Sequence, residues 1–105
     1  MNFTEYVEFP KQKEFDMDII LSNLKYYMKS RTYRRKFPIE KALACEISRK
    51  LSGLRCGYTI SDIDCFREIL NFSKRILFYD NDRNLELKDL INEVDDFILE
   101  LRRLR

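Results

Sequence analysis

The stretch LELKDLINEVDDFILELRRL, Leu85 to Leu104, decides the fold. Leu87, Leu90, Val94, Phe97, Leu101 and Leu104 recur at alternating three- and four-residue steps, and Ile91 and Ile98 lie beside them. Residues three and four apart share one face of an α-helix, whereas a strand would alternate apolar and polar at every second position. This predicts a helix over roughly 84–104, with the acidic run Glu93, Asp95, Asp96 and Glu100 as its solvated face.

The same argument extends outward. The polar run Asp80-Asn81-Asp82-Arg83-Asn84 predicts a turn, and before it Ile63, Phe66, Ile69, Leu70, Ile76 and Leu77 predict a helix over 60–79. Thr59 or Ser61, followed by Asp62 and Asp64, is its expected N-cap. Pro38 suits a first helical turn, so Ile39, Ala42, Leu43, Ile47, Leu51 and Leu54 are assigned to a helix over 38–52, with Gly53 and Gly57 as left-handed terminators. Met17, Ile20, Leu21, Leu24, Tyr27 and Met28 place a first helix over 14–33. Its acidic start, Glu14, Asp16 and Asp18, and basic end, Lys25 and Lys29, suit the helix dipole. Residues 1–13, with Phe3, Tyr6, Val7 and Phe9 ahead of Pro10, read as an arm or a short strand whose aromatics could dock on the domain or on a partner. The expected fold is all-α, a small up-and-down bundle of about four amphipathic helices in a single domain with a short N-terminal arm.

Charge is segregated along the chain. Lys25 to Cys56 holds ten Lys/Arg against Glu40 and Glu46, a net +8, while Met1 to Leu24 and Gly57 to Arg105 each carry −3, so the whole nets only +2. Such asymmetry points to a polyanionic or acidic partner. Lys25, Tyr26, Lys29, Arg31, Tyr33, Arg34, Arg35 and Lys36 mix cations with flat rings, which suits phosphates together with unstacked bases. Arg49, Lys50 and Arg55 are expected to extend that patch if the second helix runs antiparallel to the first. The leading expectation is therefore a small non-enzymatic accessory protein that binds RNA or DNA.

The alternative is a protein-interaction module or inhibitor, for instance virus- or mobile-element-encoded. It would dock on a host protein through the basic turn or through the C-terminal stripe Leu87, Leu90, Ile91, Val94, Phe97, Ile98 and Leu101. A homo-oligomer joined through that helix is a third arrangement, although in a chain of this size the stripe is first of all a core.

Catalysis has little support in the sequence. There is no His to shuttle protons near neutral pH, and there is no phosphate-binding glycine loop. Asp62, Asp64 and Glu68 could in principle hold a divalent metal, but an acidic helix start explains them without function, and no metal is assigned. Cys45, Cys56 and Cys65 are odd in number and lack CxxC spacing, so neither a disulfide framework nor a zinc site is expected, and no cofactor is assigned. No apolar run approaches the roughly 18 residues of a membrane span, and the start lacks signal-peptide character, so an intracellular protein is expected.

Lys36-Phe37-Pro38, followed by Leu43, Glu46-Ile47 and Arg49-Lys50, resembles the first inter-helix turn of small four-helix-bundle proteins such as the accessory proteins of diversity-generating retroelements, which bind nucleic acid. The glycine-rich C-terminal ending of that family is absent, and no residue role is carried over from it.

Overall fold

The computed structural model describes residues 5–30, 38–78 and 85–104. Within them lie four helices, α1 (Glu14–Ser30), α2 (Pro38–Gly53), α3 (Ile60–Phe78) and α4 (Leu85–Arg103). Single 3-10 turns at Lys11–Lys13 and Leu54–Cys56 lead into α1 and out of α2. The architecture is the expected all-α bundle.

Cross-helix ion pairs fix the directions. Lys13 Nζ lies 2.8 Å from Glu100, joining the start of α1 to the end of α4. Arg102 Nε donates to Asp64 at 2.9 Å, joining the end of α4 to the start of α3, and Arg55, just beyond α2, pairs with Asp18 early in α1. These contacts make α1 antiparallel to both α2 and α4, and α3 antiparallel to α4.

Helix α4 supplies the centre of the core. Leu87, Ile91, Val94, Ile98 and Leu101 are fully buried, and Leu90 and Phe97 nearly so. Burying one such aliphatic side chain is worth about 1.5–3 kcal/mol, so the stripe accounts for a large share of the stability. Facing it are Met17, Leu24 and Tyr27 of α1, and Ile63, Phe66, Leu70 and Leu77 of α3.

Helix α2 differs from its expected face. Ile39 and Ala42 are exposed, while Glu40 and Ala44 join Ile47, Leu51 and Leu54 as the buried line. The step from 40 to 44, 47, 51 and 54 is the better helical register. Glu40 holds the first place in that line, in the first turn of α2, where the helix dipole favours a carboxylate.

The arm docks on the domain. Val7 and Tyr58 form an isolated antiparallel bridge, with Val7 N–H donating to the Tyr58 carbonyl at 2.6 Å and Tyr58 N–H to the Val7 carbonyl at 2.9 Å. This sets Phe9 into the core beside Phe97, ring centroids 6.5 Å apart. Tyr58 itself is buried, and its hydroxyl reaches the Leu101 carbonyl at 3.5 Å. Burial pushes its phenol pKa above the ordinary tyrosine value.

Between α2 and α3 the two expected glycine terminators part company. Gly53 is ordinary right-handed helix, and only Gly57 has positive φ. Thr59 is the cap of α3. Asp62 N–H donates to Thr59 Oγ1 at 3.0 Å and Thr59 N–H donates back to Asp62 Oδ2 at 2.8 Å, a reciprocal capping box that satisfies two backbone donors at once. Ser61 takes no part in these bonds.

Candidate nucleic-acid interface

Lys25, Tyr26 and Lys29 occupy the last turns of α1, where the buried line Leu24, Tyr27 and half-buried Met28 turns them to the opposite, solvent side. All three are exposed, Tyr26 by 71%. Among the described residues neither Lys25 nor Lys29 has an ion-pair partner. Arg31, Tyr33, Arg34, Arg35 and Lys36, which follow directly in sequence, lie outside the described residues.

The cations expected to extend this patch from α2 are placed elsewhere. Because α2 runs antiparallel to α1, its end returns to the beginning of α1. Arg55 pairs with Asp18, its Nε also lying 3.2 Å from Met17 Sδ, and Asp18 precedes Lys29 by eleven residues, about 16 Å along a helix axis. Arg49 pairs with Glu46, and Lys50 Nζ lies 3.6 Å from the same carboxylate. The Arg49 hydrogen bond is the main cause holding the Glu46 carboxyl below its ordinary pKa. Antiparallel packing therefore separates Arg49, Lys50 and Arg55 from Lys25 and Lys29, the reverse of the sequence expectation.

That packing instead brings in a cation the sequence reading passed over. Lys41, exposed in the first turns of α2, sits at the end of the bundle where α1 finishes. The signal was available in the hairpin itself, since residues just after the turn lie level with those just before it. The resulting basic pole combines Lys25, Lys29 and Lys41 with the exposed ring of Tyr26.

The other expected interface is turned inward. Leu87, Leu90, Ile91, Val94, Phe97, Ile98 and Leu101 are all core residues, so a partner could reach them only by opening the bundle. Of the acidic residues at the start of α3, Asp62 caps the helix and Asp64 pairs with Arg102, whose pKa that carboxylate raises. No group of three or more His, Cys, Asp or Glu side chains among the described residues is arranged to hold a metal. The three cysteines are free and exposed. No helix among the described residues is long and apolar enough to cross a membrane. No family model, curated protein or solved structure matches this chain.

Proposed function

We propose that the chain is a small non-enzymatic accessory protein that binds RNA or DNA phosphates at the pole where α1 ends and α2 begins. One contrast carries the reading. Arg49, Lys50, Arg55, Arg67, Lys74 and Arg102 all sit on carboxylates, whereas Lys25 and Lys29, like Lys11, Lys41, Arg75 and Arg103, have none among the described residues, and of these unpaired cations Lys25 and Lys29 flank an exposed tyrosine. Uncommitted cations displace counterions from phosphates, and a free ring offers a stacking platform. The arginine-rich segment Arg31 to Lys36 follows this pole directly in sequence.

Fluorescence anisotropy against short single- and double-stranded RNA and DNA tests this at two salt concentrations. Binding is expected to weaken steeply with salt. The Lys25→Glu/Lys29→Glu variant should lose at least about tenfold in affinity and flatten the log–log salt slope by roughly 2, one per lost phosphate contact. Arg34→Glu/Arg35→Glu should abolish retention, whereas Arg49→Glu should change little. Unchanged binding by the folded Lys25/Lys29 and Arg34/Arg35 variants rules this surface out.

A second reading has its own observation. Phe15, 73% exposed, and Ile19, 45% exposed, continue the outer face of α1 that ends in Tyr26. Apolar side chains add nothing to a phosphate contact, so this face also suits docking of the basic pole on an acidic protein surface. Absence of nucleic-acid binding even at low salt would favour that module.

A further inference from the structure

Helix α3 carries two apolar stripes, and the bundle fully buries only one, Cys65 and Ile69 of the other bordering a groove shared with Tyr6 and Lys50. Ile63, Phe66, Leu70 and Leu77 face the core. Cys65, Ile69, Phe72 and Ile76 recur at four-, three- and four-residue steps on another face. There Cys65 is exposed, Ile69 is half-buried, Phe72 is 61% exposed and Ile76 is 36% exposed. The sequence pattern mixes the stripes, since Ile69 and Ile76 read equally well as core.

The charges beside the two stripes differ in the same sense. Toward α4, Arg67 and Lys74 lie 3.0 and 3.8 Å from the largely buried carboxylate of Asp95, and Asp64 pairs with Arg102. On the outer side, Glu68 and Arg75 have no ion-pair partner among the described residues. They line, with Asn71 and Phe72, a shallow depression of about 370 Å³.

We infer that this face of α3 is the interface of a symmetric homodimer in which α3 packs antiparallel against α3 of a second copy. A twofold axis midway between Ile69 and Phe72 sets Ile69 against Phe72 of the second copy and Cys65 against Ile76, each contact occurring twice. In an antiparallel helix pair, residues on the same flank of the apolar seam meet one another. The register that stacks Ile69 on Phe72 places Glu68 opposite Arg75 of the second copy, and Arg75 opposite its Glu68. One register thus satisfies four apolar contacts and two opposite-charge pairs, the self-complementarity that an isologous interface requires. A parallel pairing would set Glu68 level with Glu68 and Arg75 level with Arg75. A single helix pair covers a small area, so the dimer belongs to the weak, concentration-dependent class. This inference does not depend on the nucleic-acid reading, whose residues lie on α1, on α2 and in the segment between them in sequence.

Sedimentation equilibrium on the nuclease-treated full chain tests it. The wild-type mass should rise with concentration from 12.8 kDa toward twice that value in the submillimolar range. Glu68→Arg alone and Arg75→Glu alone should each remain monomeric, because each sets like charges across the seam twice. Mixed in equal amounts, the two single variants should form a heterodimer, and the Glu68→Arg/Arg75→Glu double variant should recover the homodimer. Recovery of dimer also shows that the exchanged side chains leave the fold intact. A wild type that stays monomeric at every concentration, single variants that dimerise like wild type, or a mixture that does not associate would each overturn the proposal.

Discussion

Phe9→Ala is expected to lower the stability of the bundle by about 3–4 kcal/mol, a typical cost for truncating a buried Phe. Phe9 is only 7% exposed and lies beside Phe97, the rings inclined at 34°. It lies two residues beyond Val7, whose paired hydrogen bonds with Tyr58 hold the arm in register. The cavity left by its removal opens against Phe97 of α4, itself only 5% exposed. At about 4–8 °C per kcal/mol for a domain near this size, the thermal midpoint should drop by roughly 12–30 °C. In urea the midpoint should fall with the slope nearly unchanged. A loss below about 1 kcal/mol would show that the arm does not contribute to the core in solution, since surface truncations seldom cost more.

Gly57→Ala should destabilise by about 2–3 kcal/mol, chiefly through backbone strain. Gly57 has φ 103° and ψ 162°, a region that essentially only glycine occupies. An added Cβ would lie 2.3 and 2.8 Å from Tyr6 ring carbons and 3.3 Å from the Val7 carbonyl oxygen. The ring is mostly exposed and can swing aside. The carbonyl cannot move without disturbing the bond it accepts from Tyr58 N–H, so the arm is strained together with the turn. The matched control is Gly53→Ala. Gly53 has φ −62° and ψ −24°, and nothing lies within 4 Å of the position its Cβ would take. That variant should gain about 0.4–1 kcal/mol by restricting the unfolded chain. Chemical denaturation of the two variants should therefore shift in opposite directions. Shifts of the same sign would contradict this turn geometry.

Both glycines looked alike in the sequence, as terminators of α2, and the difference shows where sequence reasoning stops. Whether a glycine continues a helix or leaves it depends on where the following chain must go. Here that direction is set by the bridge between Tyr58 and Val7, two residues far apart in sequence. The cap at Thr59 was easier to foresee, because a capping box is closed by residues three apart and needs no distant partner. Ser61 was the competing choice, and the position of the Asp62 carboxylate decides against it.

The basic patch shows the same division at longer range. Lys25, Tyr26 and Lys29 were legible as a cluster of cations and a ring, and the helix places all three on its exposed side. The grouping of Arg49, Lys50 and Arg55 with them did not survive, because an antiparallel partner lays its far end against the near end of α1. The same geometry brings up Lys41, which spacing along α1 could never have included. Glu40 in the buried line of α2 was missed because apolar counting skips a charged residue, even at a helix start where its charge is favoured.

Four helices, their approximate limits and the inward face of α4 follow from hydrophobic period and turn chemistry, since these act between residues a few positions apart and survive in the linear text. Which of the two stripes on α3 is buried, which cations meet carboxylates and which stay uncommitted, and whether the arm packs inward or outward were settled by packing. Each depends on surfaces contributed by remote segments. A stripe is core only if a neighbouring helix covers it, and a cation is available for binding only if the fold has not already set an acid beside it.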